Sequence, residues 1–598
     1  MAKKLLMGNE AIARGAVEAG LNLATAYPGT PSSEIIGTLA EWSGDFDYYV
    51  EWSVNEKVAM EVAGGAAYAG GRALVAMKQV GLNVASDPLM SLAYIGVRGA
   101  LVVVVADDPG PHSSQTEQDT RVFAKFAKLP VFDPSSPEEA LAMTKAAFEL
   151  SHTYQLPVLL RPTTRVCHAT SGIEFSERAA HRPEGFTKDP KWVIFPRLSY
   201  QKHQLLEETR VKLAAEFSAG PWNPLTAGDR IGIVAGGVAY LYVQEAVARL
   251  GLQPTILKVG TPHPLPGAKL EELLRRVDQV FVCEELDPVL EEGIIALAGK
   301  VGFQGPIYGK QSGHFPWAGE YSADRIQSIL ARTLNLASAE AEVPKKDVPP
   351  ELPVRPPVLC AGCPHRASFY AVKRGSRGSN AIYTGDIGCY TLGNAPPLSM
   401  VDTCLCMGAG LTIGQGLLRM EPGRPVFAFI GDSTFFHTGI PGILNAVYNR
   451  HPIKLVLLDN STTAMTGHQP HPGLGRTACG GEVPAIDPVP LLKACGVEWL
   501  EVLDPLDLPA TEAAVRRALD FPGVAALVLR SPCVATFKAT RRFRIDSAVC
   551  SNCGRCLREL GCPAFYREDK PQIGPSCYGC GLCAQICPQQ AIREVSRS

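Results

Sequence analysis

The C-terminal segment of this chain carries two closely spaced runs of cysteines. Eight of the 18 cysteines follow the pattern Cys-x2-Cys-x2-Cys twice, and each run is closed by a later Cys-Pro; they are Cys550, Cys553, Cys556, Cys562, Cys577, Cys580, Cys583 and Cys587. A tight Cys-x2-Cys-x2-Cys turn supplies three thiolates and a distant cysteine supplies the fourth, which is how proteins hold a [4Fe–4S] cluster. The segment therefore predicts two iron–sulfur clusters and single-electron transfer.

The two runs differ in the spacing before their last cysteine. The second run has three residues there, as bacterial ferredoxins do, whereas the first has five. In two-cluster ferredoxins the fourth ligand comes from the other run. This predicts one cluster on Cys550, Cys553, Cys556 and Cys587, and another on Cys577, Cys580, Cys583 and Cys562. A pair of zinc ribbons is the alternative, because zinc ribbons also use Cys-x2-Cys pairs.

The rest of the composition limits the location and the partners. Cysteine clusters in a reducing cytoplasm bind metals rather than forming disulfides. The N terminus lacks the apolar stretch and cleavage site of a secretory signal, and apolar runs such as that from Ala100 to Ala106 are shorter than the roughly 20 residues of a membrane span. We therefore expect a cytoplasmic protein with no membrane segment. The formal net charge of -2 lacks the basic excess of a nucleic-acid binder, so no nucleic-acid partner is expected.

Upstream of the tail, apolar runs alternate with alanine- and glycine-rich helical patterns. This alternation predicts α/β units around parallel sheets. We expect α/β domains over residues 1–190, 225–337 and 358–540, and a cysteine-rich domain over residues 545–598. Residues 338–357 hold six prolines among alternating charges, which predicts an extended linker. The polar stretch from His181 to Lys202 is expected to be a connector.

Two polar clusters in the third α/β segment directly follow apolar strands. Gly431-Asp432-Ser433 follows one strand and Asp459-Asn460-Ser461-Thr462 follows the next, with a helix expected between them near Ile440 to Tyr448. The carboxyl ends of such strands share the sheet edge where α/β folds bind ligands. A diphosphate is usually held through Mg²⁺, which takes carboxylate, amide and carbonyl oxygens. Two unrelated strand-end caps are the alternative.

These clusters resemble the Gly-Asp-Gly…Asn-Asn signature of thiamine diphosphate enzymes. Ser433 replaces the second glycine of the signature, and Asp459 replaces the first asparagine. The resemblance implies that the cofactor is bound by Gly431, Asp432, Ser433, Asn460 and Thr462. It makes the Asp432 carboxylate, the Asn460 side chain and the Thr462 carbonyl the Mg²⁺ ligands.

Such enzymes also place a carboxylic acid against the aminopyrimidine of the cofactor, where it exchanges a proton. The matching pattern is a glutamate followed by an alanine-rich helix and then Gly-Arg-Ala. Glu56, at the start of the helix expected over Ser53 to Gly70, fits this pattern best. Glu51 and Glu61 are the alternatives.

Five further segments, in the same order along the chain, resemble the 2-oxoacid:ferredoxin oxidoreductases, and most closely their indolepyruvate branch. They are YPGTPSSE (Tyr27 to Glu34), CAGCPHR (Cys360 to Arg366), GDIGCY (Gly385 to Tyr390), TAMTGHQPHPG (Thr463 to Gly473) and SPCVATF (Ser531 to Phe537). The resemblance covers nearly the whole chain. It implies three doubly wound α/β domains: a thiamine pyrimidine-binding domain, a transketolase C-terminal-like domain and a thiamine diphosphate/Mg-binding domain. A two-cluster ferredoxin-like domain would follow them.

The resemblance also implies a reaction. A 2-oxoacid, here an arylpyruvate, would lose CO₂, its electrons would pass singly through the clusters to ferredoxin, and coenzyme A would take the acyl group. Thr30 is the candidate for binding the substrate carboxylate, and a turn or N-cap role before the helix expected near Ser33 is its alternative. The candidates for the cofactor or substrate pocket are His365, His468 and His471, of which His365 has the best motif support.

Four scattered cysteines match a further cluster of the family. In the related pyruvate and 2-oxoglutarate enzymes, a cluster next to thiamine is ligated from segments that correspond to CAGC, DIGC and SPC. The matching positions are Cys360, Cys363, Cys389 and Cys533. The resemblance therefore predicts a third, proximal [4Fe–4S] cluster; four reduced thiols are the alternative.

The family uses one more domain, which implies a separate small beta subunit and an α2β2 assembly. The basic run from Lys538 to Arg544 is a candidate dock for an acidic ferredoxin or for coenzyme A, with a solvated linker as its alternative. Three other functions stay open. They are a pyruvate- or 2-oxoglutarate-specific ferredoxin oxidoreductase, a non-redox thiamine decarboxylase, and an electron-transfer scaffold.

Overall fold

The computed structural model describes residues 3–336, 352–353 and 355–596. The linker expected over 338–357 therefore lies mostly outside the described residues. The chain forms two compact units, Met1–Pro349 and Pro350–Ser598. Strands and helices are numbered below in chain order. Within the described ranges, no helix combines the length and the apolar character needed to cross a membrane.

The first unit contains a six-stranded parallel sheet in the order β3-β2-β4-β5-β7-β6. Its strands are β2 (Leu23–Ala26), β3 (Tyr49–Trp52), β4 (Arg72–Lys78), β5 (Ala100–Ala106), β6 (Val131–Phe132) and β7 (Val158–Leu160). The central strand β5 is a run of alanine, leucine and valine that is buried throughout, as expected where helices cover both faces of a parallel sheet. An antiparallel pair, β1 (Lys3–Met7) and β8 (Thr170–Glu174), lies outside this sheet.

The helices around this sheet are α1 (Gly8–Glu18), α2 (Ser33–Trp42), α3 (Glu56–Tyr68), α4 (Gln79–Val84), α5 (Ser86–Ile95), α6 (Thr120–Ala127), α7 (Pro137–Tyr154) and α8 (Thr164–His168). The following helix, α9 (Pro196–Ala219), begins inside the stretch that was expected to be only a connector. Its buried apolar side chains, Leu206, Leu213 and Phe217, are spaced at helical intervals within a strongly charged sequence. Their small number explains why the helix escapes notice in the sequence.

A second sheet of the first unit has the order β13-β12-β10-β11-β9, parallel except for β9. Its strands are β9 (Leu225–Thr226), β10 (Ile231–Gly236), β11 (Thr255–Val259), β12 (Gln279–Cys283) and β13 (Ile307–Tyr308). Its helices are α10 (Ala239–Leu250), α11 (Gly267–Leu274), α12 (Val289–Val301) and α13 (Ala323–Thr333).

The second unit is built on a five-stranded parallel sheet in the order β14-β15-β16-β18-β17. The strands are β14 (Ile382–Thr384), β15 (Val426–Gly431), β16 (Lys454–Asp459), β17 (Trp499–Leu503) and β18 (Ala525–Arg530). The helices are α14 (Pro364–Gly375), α15 (Ala409–Met420), α16 (Asp432–Thr434), α17 (Ile440–Tyr448), α18 (Pro488–Ala494) and α19 (Leu508–Asp520). A π-helical turn, Phe435–Gly439, joins α16 to α17. The prediction of α/β architecture with parallel sheets is confirmed.

The cysteine-rich tail consists of two antiparallel strand pairs and two short helices. The pairs are β19 (Arg541–Ile545) with β22 (Ile592–Ser596), and β20 (Phe565–Arg567) with β21 (Pro571–Ile573); the helices are α20 (Arg555–Leu560) and α21 (Leu582–Ile586). The side chain of Gln585 donates to the carbonyl of Leu506 at 2.7 Å and accepts from the N–H of Leu508 at 3.2 Å. The tail therefore packs against the start of α19, and it shares one hydrophobic core with the sheet.

Candidate active site and cysteine cavities

The carboxyl edge of the second unit's sheet brings the two predicted polar clusters together. Asp432 and Asn460 follow the adjacent parallel strands β15 and β16, and both are buried. The Asn460 side-chain oxygen accepts from the N–H of Thr462 at 3.2 Å, and the Thr462 carbonyl accepts from the N–H of Ala464 at 3.0 Å. Each oxygen keeps a second lone pair, so both are free to bind a cation.

Only one oxygen of the Asp432 carboxylate accepts a hydrogen bond within the described residues. One oxygen, Oδ1, accepts from the N–H of Ser433 at 2.8 Å. The other, Oδ2, lies 3.2 Å from Nε2 of His471, yet neither of these buried atoms makes a hydrogen bond of acceptable geometry within the described residues. Nδ1 of His471 accepts from the N–H of Gly473 at 3.2 Å, which leaves the ring proton on Nε2. A buried anionic oxygen without a hydrogen bond fits a hard cation such as Mg²⁺.

His365 lies beside Asn460 in the same site. The Asn460 amide nitrogen is 3.1 Å from Nε2 of His365, and the ring meets Tyr390 edge-on with the centroids 5.8 Å apart. Burial lowers the pKa of His365 to about 4, although Asp432 opposes this. A Cβ at Gly431 would lie 2.6 Å from the Tyr390 ring, so glycine is required there for the ring to pack.

Asp459, which stands where the family signature has its first asparagine, is held by an arginine. Arg530 donates through Nε to Asp459 at 2.7 Å and through Nη2 to Asp487 at 2.9 Å. Burial, and then the charge of Asp432, raise the pKa of Asp459, while Arg530 opposes them. The arginine therefore compensates a second carboxylate close to Asp432.

Asp386 is a site residue to which sequence reasoning gave no role. It follows β14 within the GDIGCY segment and is fully buried. Its two carboxylate oxygens accept from the N–H groups of Ile387 at 2.6 Å and Gly408 at 2.7 Å. Burial raises the pKa of Asp386 to about 7, although these two hydrogen bonds act to lower it. The side chain thus ties the Cys389 loop to the start of α15.

The four cysteines of the predicted proximal cluster influence one another's pKa. The charge of Cys360 raises the pKa of Cys363, Cys389 and Cys533, and the charge of Cys533 raises the pKa of Cys389. Burial, followed by this repulsion, raises the pKa of Cys389 to about 11. The Cys533 N–H donates to the Asn460 carbonyl at 3.0 Å. Cys533 therefore lies directly beside the strand-edge site.

The eight tail cysteines line two cavities, four in each. One cavity is walled by Cys562, Cys577, Cys580 and Cys583. The other is walled by Cys550, Cys553, Cys556 and Cys587. These are the two sets that exchange of the fourth cysteine between the runs would give. Among the described residues, no three His, Cys, Asp or Glu side chains are grouped closely enough to hold a single metal ion.

In the first unit, the carboxyl edge of the six-stranded sheet carries Glu56. This side chain is buried at the start of α3, and a Cβ at Gly81 would come within 2.7 Å of its Oε1. The rival carboxylates have other environments. Glu51 accepts from the hydroxyls of Ser53 at 2.7 Å and Tyr49 at 2.9 Å. Glu61 is exposed and pairs with Lys57 one helical turn away.

Thr30 lies at the same edge, in the loop before α2. That helix begins at Ser33 as expected, but Ser32 occupies its N-cap position, so an N-cap role for Thr30 is wrong. The Ser113 hydroxyl donates to the Thr30 carbonyl at 3.0 Å, and the ammonium of Lys78 donates to the Ser113 carbonyl at 3.1 Å. Burial lowers the pKa of Lys78, and the charges of Asp108 and Glu56 oppose this.

Lys78 is a second residue that sequence reasoning missed. The available signal was a lysine that follows five apolar residues at the end of a strand, at the edge where ligands bind. Of the other histidine candidates, His471 faces Asp432, as described above. His468 is exposed, in a left-handed backbone conformation with φ of 65°.

Comparisons with known proteins find two family matches in this chain. Residues 14–195 match the family described as "Pyruvate flavodoxin/ferredoxin oxidoreductase, thiamine diP-bdg". Residues 386–529 match the family described as "Thiamine pyrophosphate enzyme, C-terminal TPP binding domain". With these two matches, the chain is a thiamine diphosphate-dependent oxidoreductase of the 2-oxoacid:ferredoxin class.

Several relatives that share one name match along nearly the whole chain. Indolepyruvate oxidoreductase subunit IorA of Methanothermobacter thermautotrophicus is 43% identical over 605 residues, and that of Archaeoglobus fulgidus is 42% identical over 615 residues. Each alignment covers 99% of this chain and 97% of the relative. The chain belongs to the family of indolepyruvate oxidoreductase subunit IorA. Among solved structures, 2-oxoglutarate:ferredoxin oxidoreductase from Magnetococcus marinus is 17% identical with a TM-score of 0.45, over 55% of this chain and 65% of that one.

Proposed function

We propose that this chain is the catalytic subunit of an enzyme that oxidatively decarboxylates an arylpyruvate, of the indolepyruvate kind, to the aryl-acetyl-CoA. The electrons pass through [4Fe–4S] clusters to a ferredoxin. The observation that carries the proposal is the identity of more than 40% to indolepyruvate oxidoreductase subunits over 99% of the chain. The three sets of four cysteines support its redox part.

The diphosphate end of the cofactor is assigned to the second unit. Asp432 Oδ2, the Asn460 side-chain oxygen and the Thr462 carbonyl are the proposed Mg²⁺ ligands, with Gly431 and Ser433 beside the diphosphate. The unsatisfied, buried Oδ2 supports this, since a buried carboxylate oxygen needs a cation or a donor. Thiamine diphosphate, when bound, supplies a nucleophilic carbon and an electron sink for the loss of CO₂.

The residues of the first unit are assigned to the proton and to the substrate. Glu56 is the proposed carboxylic acid that exchanges a proton with the aminopyrimidine, because it is buried whereas Glu61 is exposed. Thr30 is the proposed donor to the carboxylate of the 2-oxoacid. The Lys78 ammonium, joined to Thr30 through Ser113, adds positive charge on that side of the sheet edge.

The cysteine sets suggest an order for electron transfer. The proximal cluster is assigned to Cys360, Cys363, Cys389 and Cys533, and Cys533 lies beside Asn460. Cys363 also lines the cavity walled by Cys562, Cys577, Cys580 and Cys583. The remaining set includes the exposed Cys553. We assign the first set to electron entry, the second to relay and the third to exit toward ferredoxin.

Partners follow from the same family. The whole-length relatives are named as subunits, and a small beta subunit in an α2β2 assembly is proposed for this chain as well. Coenzyme A is the proposed acyl acceptor. The cytoplasm is the proposed compartment, because reduced thiols and clusters persist there.

The deciding experiment is an anaerobic assay of the chain with its beta subunit, thiamine diphosphate, Mg²⁺, coenzyme A and a panel of 2-oxoacids. We expect ferredoxin or a viologen dye to be reduced with indolepyruvate and other arylpyruvates, and acyl-CoA to form. Asp432→Asn should abolish this, while Asp520→Asn, at an exposed position on α19, should not. Turnover confined to pyruvate or 2-oxoglutarate would overturn the specificity. Release of free aldehyde without dye reduction would indicate a decarboxylase.

A further inference from the structure

A buried arginine lies between two of the cysteine sets. Arg366, on α14, is only 5% exposed. Its Nη1 donates to the carbonyls of Leu560 at 2.6 Å and Gly561 at 3.0 Å, immediately before Cys562. Its Nη2 donates to the carbonyls of Leu359 at 2.6 Å and Cys360 at 3.4 Å. The guanidinium therefore binds the loop that leads into one cysteine set and the loop that begins the other.

These four bonds use every terminal N–H of the side chain and leave one donor. An arginine has five N–H groups, and the fifth, at Nε, is buried without a hydrogen-bond partner in the described residues. Arg366 lines the cavity walled by Cys562, Cys577, Cys580 and Cys583, which Cys363 also lines. A buried donor beside a space walled by thiols indicates an acceptor in that space, because an unpaired buried N–H costs on the order of 1–3 kcal/mol.

We propose that Arg366 is a positioning and tuning residue for the cluster held by Cys562, Cys577, Cys580 and Cys583, and that its Nε–H donates a hydrogen bond to a sulfur atom of that cluster. The proposal rests on the proposed function, because it requires iron–sulfur chemistry in this cavity. It goes further by assigning a role to the arginine of the CAGCPHR segment.

The physical effect of Arg366 is electrostatic. A [4Fe–4S] centre with four thiolate ligands is anionic and gains another negative charge on reduction. A fixed guanidinium in a low-dielectric interior favours the more negative, reduced form and so raises the reduction potential. The same side chain holds the Cys360 and Cys562 loops together, so it also fixes the separation of the entry and relay clusters.

Arg366→Met and Arg366→Lys together separate the effect of the guanidinium charge on the reduction potential from the effect of the Nε–H hydrogen bond. Redox titration of anaerobic holoprotein, followed by electron paramagnetic resonance, should show one cluster shifted to lower potential in Arg366→Met. We expect at least a tenfold change in its reduced-to-oxidised ratio at a given potential, or about 59 mV for a one-electron couple. Arg366→Lys keeps the charge and loses Nε–H, so its shift should be smaller. The control is Arg374→Met, on the same helix, where Arg374 pairs with Glu512 at the partly exposed surface.

A measurement on the unsubstituted protein covers the case in which Arg366→Met fails to assemble its clusters. With ¹⁵N-labelled arginine, pulsed electron paramagnetic resonance of the reduced protein should detect a weak ¹⁵N coupling to one cluster. Clusters present without this coupling would overturn the hydrogen bond from Arg366, and cluster potentials unchanged in Arg366→Met would overturn its tuning role. Both outcomes leave the proposed function intact. A holoprotein without any [4Fe–4S] signal would overturn both.

Discussion

The side-chain amide of Asn460 donates a hydrogen bond to Nε2 of His365 across 3.1 Å. An amide nitrogen can only donate, so this ring nitrogen accepts and the histidine is neutral, in agreement with a pKa that burial lowers to about 4. The contact fixes the orientation of the amide and hence of the oxygen proposed to bind Mg²⁺. Since such orienting partners typically contribute 10–100-fold to metal affinity, we expect His365→Ala to weaken Mg²⁺-dependent thiamine diphosphate binding by about that factor. Calorimetric titration of the protein with the cofactor measures it.

His152→Ala, at an exposed position on α7, is the control for that titration and should leave the affinity unchanged. Unaltered cofactor affinity in His365→Ala would mean that Asn460 is oriented by its bond with Thr462 alone.

Glu56 and Glu61 lie on one helix in contrasting environments, and so provide a matched pair. We expect Glu56→Gln to lower kcat by roughly 10²–10⁴-fold, because a neutral amide cannot exchange a proton with the aminopyrimidine. Glu61→Gln removes only an exposed pair with Lys57 and should keep nearly full activity. The measurement is anaerobic dye reduction with the beta subunit present, with cofactor binding measured alongside. Equal losses in the two variants would reject Glu56 as the proton donor.

The spacing of residues in the sequence was sufficient to predict a contact where local rules of secondary structure determine the geometry. The meeting of Asp432 and Asn460 follows from two parallel strands and a crossover helix, whose expected bounds, Ile440 to Tyr448, agree with the structure. The grouping of the tail cysteines also follows from their spacing. In both cases a short-range pattern determines a long-range contact.

Contacts that depend on tertiary packing could not be predicted in this way. His471 and Asp432, or Arg366 and the Leu560 carbonyl, meet only because separate loops pack together, and nothing in either local sequence indicates its partner. The same holds for Asp386. From the sequence it is only a motif residue after a strand, and its role depends on the hydrogen bond from the Gly408 N–H, which the sequence does not indicate. Helix α9 was missed for a different reason, since its few buried side chains leave a weak periodic signal.

The proximal cluster can be tested by counting iron. With three [4Fe–4S] clusters, anaerobically purified protein should contain about twelve iron atoms per chain. Cys389→Ala should lower this to about eight and remove one reduced signal, because the tail cavities do not include Cys389. Cys495→Ala, next to α18 and outside all three cysteine sets, should leave the count at about twelve. A count of about eight in the unsubstituted protein, with no change on substitution, would indicate four reduced thiols.

The first unit contains a carboxyl group whose charge opposes folding at neutral pH. Burial raises the pKa of Glu285 to about 7, although its Oε1 accepts from the Tyr321 N–H at 2.8 Å. Because the folded-state pKa lies above the usual 4.5, the stability associated with the bound proton is fully present below about pH 4.5 and is lost as the pH rises to about 7. Glu285→Gln keeps the acceptor and cannot ionise. At pH 8 the variant should therefore be more stable than the unsubstituted protein, and this advantage should exceed that at pH 4.5 by up to about 3 kcal/mol.

Hydrogen exchange at the Tyr321 amide, compared between variant and unsubstituted protein at the same pH, measures this difference locally in a chain too large for two-state unfolding. Protection should be greater in Glu285→Gln at pH 8, and the gain should shrink as the pH falls toward 4.5. Glu208→Gln, at an exposed position on α9, should show no such pH dependence. If the difference in protection between Glu285→Gln and the unsubstituted protein stays constant across this range, Glu285 keeps its charge throughout. The charge of Arg161 then offsets the effect of burial on the Glu285 carboxylate.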